Sequence, residues 1–297
     1  MQPKLKGVTV AVIGGDARFP VLIDELIASG ARVNVVGLPV TSSVKGVTLY
    51  NNLEGCLVGV QAVILPILGI DEKGLLHCVL SEQTYHMTEQ IMALLPGRTF
   101  IFTGLAGPLL KQMTSRMNLR LIELMKLDEV AILNAIPSAE GVVQMAMELL
   151  PITIHGSLAV VLGFGRTGMT LARLLSAMGA NTRVVARKPA ALARVAEMNL
   201  IPVDINNMLE CLAEADVIFN TIPALVLTEE VLGMVSPDTI IFDLASDPGG
   251  TDFQAAERLG LKAVLAPSLP GRVAPKTAGR ILAQPIIRFL EKKTANS

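Results

Sequence analysis

The sequence predicts an α/β protein of two doubly wound parallel-sheet domains joined by a long helix. Short apolar runs alternate with helical patterns along nearly the whole chain, and its 297 residues are enough for two domains. The apolar residues are mainly aliphatic, since the chain has no Trp, 2 Tyr and 8 Phe. Aliphatic strands that helices cover on both faces are typical of parallel sheets.

Short apolar segments with the character of buried strands occur in both halves of the chain. In the first half they are residues 8–13, 32–37, 62–65, 99–103 and 119–124, with helices predicted at 20–29 and 84–95. In the second half they are residues 158–162, 182–186, 216–220, 239–243 and 263–265, with helices predicted at 166–178, 189–198 and 252–259. Strands that alternate with helices predict crossover βαβ units, and therefore parallel pairing.

A glycine-rich turn lies between the strand at 158–162 and the helix that follows it. Gly163 permits the tight turn, Gly165 lets the backbone approach a phosphate, and Gly168 lets the helix pack closely on the strand. The first helical N–H groups and the positive end of the helix dipole would face the anion. The turn predicts a Rossmann dinucleotide-binding domain, with these residues at the cofactor: Gly163, Phe164, Gly165, Arg166, Thr167 and Gly168.

Two basic residues, Arg187 and Lys188, follow the next strand of this domain. NAD-binding sites usually carry an acidic residue there for the ribose 2′-hydroxyl, whereas a basic residue favours the 2′-phosphate of NADP. The sequence therefore predicts NADP as the cofactor rather than NAD. The alternative is a solvated pair of basic residues at a strand end.

Small polar segments follow the two strands at 216–220 and 239–243. In dinucleotide-binding folds such segments lie beneath the nicotinamide half of the cofactor. We expect cofactor contacts from Asn220, Thr221, Pro223, Ala245 and Ser246, although both segments can also be ordinary loops.

The domain boundaries are predicted at a long connecting helix. Residues 1–128 form the N-terminal domain, 129–151 the connecting helix, and 152–274 the dinucleotide-binding domain. Pro137 interrupts the helical pattern, and Ser138 can cap the helix that continues beyond it. A last helix at 275–293 is expected to return to the first domain, by analogy with two-domain dehydrogenases.

The cleft between two such domains is the expected substrate site. Arg18 would stand at a helix start beside it, where a carboxylate is favourable, and Asp16 and Gly104 follow strands that end there. Arg272 and Lys276 bracket the start of the last helix, where cations are unfavourable unless an anion binds between them. The alternatives are a helix cap for Asp16 and solvated side chains for the three cations.

Several function classes lack support. The formal charge of −1 gives no reason to expect nucleic acid or an anionic membrane as partner. No apolar run approaches the roughly 18 to 20 residues of a membrane span, and no signal-peptide pattern opens the chain, so a cytoplasmic protein is expected. The histidines and cysteines form no metal-ligand motif. No histidine follows His155, which removes the acid/base that a hydroxy-acid dehydrogenase needs late in its chain.

The chain resembles the A-subunit family of bacterial dipicolinate synthase over almost its whole length. The motifs that carry the resemblance are Ile13-Gly-Gly-Asp-Ala-Arg18, Ala135-Ile-Pro-Ser-Ala-Glu-Gly141, Gly163-Phe-Gly-Arg-Thr-Gly168, Asn220-Thr-Ile-Pro-Ala224, Asp243-Leu-Ala-Ser-Asp-Pro-Gly-Gly250 and Leu269-Pro-Gly-Arg-Val-Ala-Pro-Lys-Thr-Ala-Gly279. In one departure, Arg18-Phe19-Pro20 begins the first helix where a more polar start is expected.

The resemblance implies a nicotinamide-binding protein that works with a flavoprotein partner, the B-subunit of the same enzyme, which would carry FMN. The implied reaction is the oxidation of dihydrodipicolinate, formed from 4-hydroxy-tetrahydrodipicolinate, to dipicolinate in the mother cell of a sporulating bacterium. Homo- and hetero-oligomers are expected. For this dicarboxylate, Arg18 on one domain and Arg272 and Lys276 on the other would be the anchors.

Two other functions remain open. One is a two-domain dehydrogenase of the alanine, formate or glycerate type, which would need a well-placed catalytic His or Lys. The other is an NADP-sensing or assembly protein whose catalysis takes place in the partner.

Overall fold

The structure is a computed structural model that describes residues 4–39 and 44–295. The chain divides into two compact units. Unit 1 contains the described residues up to Ala131 and those from Ala274 onward, and unit 2 contains Ile132–Val273. The first three residues, on which the expectation about a signal peptide partly rests, lie outside the described residues.

Unit 1 is built on a sheet of six parallel strands. They are β1 (Thr9–Ile13), β2 (Arg32–Val36), β3 (Val47–Leu49), β4 (Ala62–Ile64), β5 (Phe100–Thr103) and β6 (Arg120–Glu123), and the helices between them are α1 (Phe19–Ala28), α2 (Leu53–Cys56), α3 (Glu89–Met92) and α4 (Pro108–Arg116), with a 3-10 turn at Leu124–Lys126. The strand order is β3-β2-β1-β4-β5-β6. Aliphatic and aromatic side chains from the strands and helices form a continuous buried core.

The helix that leaves unit 1, α5 (Asp128–Leu149), is continuous through Pro137. The expected break with a cap at Ser138 is therefore wrong: the Ser138 hydroxyl donates a hydrogen bond of 2.9 Å to the Asn134 carbonyl, inside the helix. Length and hydropathy alone would allow α5 to cross a membrane, but half of its most apolar stretch is buried in the protein. Its alanine and valine positions pack into the core of unit 2, as expected of a core helix.

Unit 2 repeats the architecture of unit 1. Its strands are β7 (Leu158–Leu162), β8 (Asn181–Ala186), β9 (Ile201–Asp204), β10 (Val217–Asn220), β11 (Ile240–Asp243) and β12 (Lys262–Leu265), and its helices are α6 (Arg166–Ala177), α7 (Pro189–Glu197), α8 (Met208–Ala213), α9 (Glu229–Leu232), α10 (Phe253–Arg258) and α11 (Leu269–Val273), with a 3-10 turn at Ile205–Asn207. The strand order is β9-β8-β7-β10-β11-β12, and all pairs are parallel.

The last helix, α12 (Pro275–Ala295), belongs to unit 1 and packs against α1. The packing is close at Gly279, where a Cβ atom would lie only 2.5 Å from the Arg18 carbonyl oxygen. The chain thus returns to unit 1 after completing unit 2.

The predicted strands are all present, and two further strands were missed. These are β3 and β9, each a short third strand at the edge of its sheet, and β9 contains Pro202. β3 has only three residues and β9 is interrupted by Pro202, so neither gives the apolar run that marks a buried strand. The helix predicted at 84–95 is wrong in its first half, because only Glu89–Met92 is helical and His86 forms a β-bridge with Leu75.

The two units also share a sequence pattern, so the chain contains an internal repeat. Residues 9–37 match 158–186 without a gap, 51–65 match 206–220, and 88–103 match 228–243. The strand registers agree with this match, since Val10 pairs with Ala62 in unit 1 as Ala159 pairs with Val217 in unit 2.

Matched hydrogen bonds support the repeat. In unit 1 the Thr9 N–H, at the start of β1, donates to the Gln61 side-chain oxygen at 2.6 Å. In unit 2 the Leu158 N–H, at the start of β7, donates to the Asp216 carboxylate at 2.7 Å. Thr88 and Thr228 occupy matching positions, and each caps the N-terminus of a short helix with its side-chain oxygen. Residues at matching positions of the two units can therefore be compared directly.

Candidate functional site

The turn between β7 and α6 needs glycine at two positions for space and conformation. Gly163 has φ +94°, and a Cβ atom there would lie 2.7 Å from the Thr221 hydroxyl oxygen. At Gly168 a Cβ atom would lie 2.2 Å from the Gly163 carbonyl oxygen. The helix therefore starts in direct contact with the turn.

Gly165, between them, is the N-cap of α6 and differs from both. A Cβ atom at Gly165 would meet no protein atom within 4 Å, so the space above this residue is open. No side chain caps the helix here, and the free first turn carries the positive end of the helix dipole. An open space at an uncapped helix N-terminus fits the pyrophosphate of a dinucleotide.

The remaining residues of the turn are arranged around this space. Arg166 is exposed, Thr167 is half-buried, and Phe164 is half-buried with its ring packed on the core of unit 2. The turn itself is fixed to the sheet, because the Gly163 N–H donates a 2.9 Å hydrogen bond to the Val185 carbonyl.

The basic pair lies at the carboxyl end of β8. Arg187 and Lys188 are both exposed, and neither forms an ion pair within the part of the chain that the structure describes. Lys188 is the N-cap of α7, and its side chain makes no capping hydrogen bond. Both cations are therefore available to a ligand at the position where a dinucleotide carries its adenosine ribose.

The loops after β10 and β11 bring the other predicted cofactor residues to the same edge of the sheet. Pro223 and Ser246 are exposed, and Ala245 is half-buried. The Thr221 hydroxyl donates to the Leu162 carbonyl at 2.8 Å, which ties this loop to the strand before the glycine turn. Asn220 is fully buried, and its side chain hydrogen-bonds to the Ile222 backbone and to Asp243.

Asp243, at the end of β11, is a residue whose role the sequence analysis missed. Its carboxylate is fully buried and accepts hydrogen bonds from the Asn220 side chain and from the Ala245 and Gly250 backbone N–H groups, at 2.9 to 3.1 Å. An acidic residue that ends a strand of otherwise apolar residues was the signal available in the sequence.

In unit 1, Arg18 and Asp16 form a largely buried ion pair. The Arg18 Nε donates to both Asp16 carboxylate oxygens, at 2.9 and 3.1 Å, and Nη2 donates to one of them. The Arg18 side chain is 6% exposed and that of Asp16 27% exposed. Burial alone would raise the pKa of the Asp16 carboxyl, but the hydrogen bond and charge of Arg18 outweigh it and lower this pKa below its ordinary value.

Gly104, the third candidate in unit 1, is in close packing contact. A Cβ atom there would lie 2.6 Å from the Ile67 carbonyl oxygen. The Gly104 carbonyl accepts the Met125 N–H at 3.0 Å. These contacts give a structural reason for glycine at this position.

The two cations near the end of the chain belong to different units, which corrects the expectation that both lie on the second domain. Arg272 lies within the short helix α11 of unit 2, whereas Lys276 lies in the first turn of α12 in unit 1. Both side chains are exposed. Lys276 precedes Gly279 by about one helical turn, and Gly279 contacts the Arg18 backbone, so Lys276 and Arg18 share one region of unit 1.

No metal-ligand cluster of three or more His, Cys, Asp or Glu residues occurs among the described residues. The cysteines there are free thiols: Cys56 and Cys211 are buried and Cys78 is half-buried.

Two family models match the chain, one in each unit. Residues 9–125 match the N-terminal domain of the dipicolinate synthase A-subunit. Residues 136–241 match the NAD-binding domain of D-isomer specific 2-hydroxyacid dehydrogenases. The second match covers the glycine turn and the basic pair described above.

Similar proteins cover nearly the full length. The dipicolinate synthase A-subunit of Bacillus subtilis (strain 168) is 40% identical over 287 residues, which are 96% of this chain and 97% of the relative. The crystal structure of the corresponding protein from Bacillus halodurans is 42% identical, covers 96% of this chain and 98% of its own, and has a TM-score of 0.93. The crystal structure of the Bacillus subtilis A-subunit is 38% identical, covers 100% of both chains and has a TM-score of 0.94.

Proposed function

The chain belongs to the dipicolinate synthase A-subunit family and is an NAD(P)-dependent oxidoreductase, and we propose that it oxidises dihydrodipicolinate to dipicolinate. The observation that carries the proposal is the 40% identity over 96% of the chain to a relative of that name. An open, uncapped glycine turn in unit 2 supports a nicotinamide dinucleotide as the oxidant.

The proposed reaction removes one hydride and one proton from dihydrodipicolinate. The hydride reduces the nicotinamide ring, the proton leaves to solvent or a base, and the product ring becomes aromatic. The dihydro compound itself arises from 4-hydroxy-tetrahydrodipicolinate by loss of water. Aromatisation supplies a large driving force, which agrees with a chain that has no histidine after His155.

NADP is the proposed cofactor, in preference to NAD. The support is the exposed pair Arg187 and Lys188 at the end of β8, where an acidic residue would serve the 2′-hydroxyl of NAD. The residues proposed to hold the cofactor are Gly163, Phe164, Gly165, Arg166, Thr167, Gly168, Arg187, Lys188, Thr221, Pro223, Ala245 and Ser246.

The substrate carries two carboxylates, which call for cationic anchors. We propose Arg18 and Lys276 of unit 1 and Arg272 of unit 2 in this role. Arg18 is buried and held rigidly by Asp16, whereas Lys276 and Arg272 are exposed. A buried arginine whose orientation is already fixed loses little side-chain entropy on binding a carboxylate.

We also propose a flavoprotein B-subunit with FMN as partner, and activity in the cytoplasm of the mother cell. Both follow from the family. An enzyme whose relatives are named as an A-subunit has at least one further component, and this supports a partner protein.

The test is to incubate the purified chain with enzymatically generated dihydrodipicolinate and NADP⁺ or NAD⁺, with and without the flavoprotein partner. Dipicolinate and reduced nicotinamide are measured together by their absorbance. We expect equal amounts of both products and faster turnover with NADP⁺. Dipicolinate that appears only with the flavoprotein, and without reduced nicotinamide, would contradict the proposed direction of hydride transfer.

A further inference from the structure

The carboxyl ends of β10 and β11 carry a buried polar pair that unit 1 lacks. Asn220 and Asp243 are both fully buried, and the Asn220 amide donates to the Asp243 carboxylate at 3.1 Å. The internal repeat places Leu65 and Thr103 at the matching positions of unit 1. Positions that serve only the shared fold carry similar groups in both units, as the Thr88 and Thr228 caps do, so this difference points to the function of unit 2.

The Asp243 carboxylate fixes the loop after β11. One oxygen accepts the Ala245 N–H at 2.9 Å, and the other accepts the Gly250 N–H at 3.0 Å. Both ends of the segment 245–250 are therefore held by one side chain. Hydrogen bonds to a buried carboxylate are stronger than those between neutral groups.

Asn220 connects this loop to the one after β10. Its side-chain oxygen accepts the Ile222 N–H at 3.0 Å, while its amide group donates to Asp243. The two loops also pack closely at Gly250. A Cβ atom there would lie 2.2 Å from the Asn220 amide nitrogen and 2.5 Å from the Ile222 carbonyl oxygen. One network thus sets the positions of both loops.

A dinucleotide in a sheet of this order lies across the point where the order reverses, beside β7. Its adenosine half lies on the side of β8, where Arg187 and Lys188 are, so its nicotinamide half lies on the side of β10 and β11. The loops that Asp243 holds face that half.

We propose that Asp243 is a positioning residue for the nicotinamide half of the cofactor, acting through Asn220 and the loops at 221–224 and 244–250. This inference rests on the proposed cofactor site and is independent of the substrate and of the flavoprotein partner. Asparagine at position 243 cannot replace the carboxylate, because its NH2 group would face one of the two backbone donors.

The test compares two ligands by calorimetric titration of the full chain. NADPH carries nicotinamide, and 2′-phospho-ADP-ribose lacks it; if the parent chain prefers NADH, NADH and ADP-ribose are used. Asp243→Asn should weaken NADPH binding about tenfold and leave binding of the fragment within about twofold. Thr103→Val removes the matching buried side-chain hydrogen bond in unit 1, and should change neither affinity.

Equal weakening of both ligands, or of neither, would overturn the proposal. If Asp243→Asn does not fold, Asn220→Ser keeps the Asp243 carboxylate and its backbone donors while removing the amide link. It should show the same selective loss of NADPH affinity, and unchanged affinity for both ligands would overturn the proposal. A parent chain that binds neither dinucleotide would instead contradict the proposed cofactor site.

Discussion

The two units of this chain share a strand order and a sequence pattern. They differ at the turn between the first strand and the first helix, which is open in unit 2 and filled by a side chain in unit 1. In unit 2 the N-terminus of α6 is open at Gly165 and has no side-chain cap. The matching position in unit 1 is Asp16, whose carboxylate accepts the Arg18 N–H at 3.0 Å at the start of α1. A carboxylate of the chain itself thus lies where unit 2 leaves room for a phosphate.

A neighbouring segment closes the turn of unit 1 further. Gly15 forms a β-bridge with Cys78, and a Cβ atom at Gly14 would lie 2.3 Å from the Cys78 sulfur. Strand order alone therefore does not make a dinucleotide site. The site needs an uncovered turn, which only unit 2 has among the described residues.

The largest expected effect comes from filling the open turn. Gly165→Val should reduce dinucleotide binding below detection, because the side chain would occupy the space for the pyrophosphate. The backbone at Gly165 has φ −83°, which valine can adopt, so the fold should persist. Calorimetric titration measures binding and circular dichroism checks the fold. The control is Gly97→Val in unit 1, where a Cβ atom would also have open space. Normal binding by a folded Gly165→Val variant would show that the turn is not the site.

The substrate anchors should give the next largest effect. Alanine at Arg18, Arg272 or Lys276 should lower kcat/KM by about 10- to 100-fold, roughly 1.4 to 2.7 kcal/mol of transition-state stabilisation. The dissociation constant of the cofactor should hardly change. Since Arg18→Ala leaves Asp16 without its partner, Arg18→Lys serves as a second variant that keeps the charge but loses the bidentate geometry.

Steady-state kinetics with the flavoprotein partner present measures these constants. Three alanine variants with the kinetics of the parent would place the dicarboxylate elsewhere.

A substitution in the basic pair, Arg187 and Lys188, tests whether unit 2 binds NADP in preference to NAD. Arg187→Asp should weaken NADPH binding by about 1 to 3 kcal/mol, the scale of one lost charge-assisted hydrogen bond. NADH binding by the same variant is the control, and it should be unchanged or tighter. The assignment to NADP fails if the parent chain itself binds NADH more tightly than NADPH.

The smallest effect concerns the carboxylate that closes unit 1. The pKa of Asp16 is lowered in the folded protein, so its contribution to stability is present above the ordinary value of 3.8 and is lost as the pH falls through the lower, folded value. Asp16→Asn should therefore lower the thermal midpoint at neutral pH, and its difference from the parent should shrink progressively as the pH falls below about 4. Thermal unfolding followed across this range measures it, with Asp24→Asn on the exposed side of α1 as control. A difference that does not depend on pH would show that the ion pair does not stabilise unit 1.

The sequence predicted the parts of this fold that local pattern controls. Buried parallel strands are continuous apolar runs, and the glycine turn has a spacing that only a few conformations satisfy, so both were found. The strands β3 and β9 were missed because β3 is only three residues long and β9 contains Pro202. The helix through Pro137 was wrongly divided because packing in unit 2 keeps it continuous.

Long-range features of the site were less accessible. The link between the loops after β10 and β11 depends on the hydrogen bond from Asn220 to Asp243, which are 23 residues apart, and no local pattern encodes it. The internal repeat was nevertheless present in the sequence, for example as Asn51-Asn52 with Cys56 and Asn206-Asn207 with Cys211. Aligning the two halves would have shown that Asn220 and Asp243 replace Leu65 and Thr103 at the matching strand ends.

We propose that unit 2 holds the dinucleotide, whereas the same turn in unit 1 is closed. The most direct measurement is the stoichiometry of NADPH binding to the full chain by calorimetric titration. We expect one site per chain in the parent protein and none in Gly165→Val. Two sites per chain, or one that remains in Gly165→Val, would contradict it.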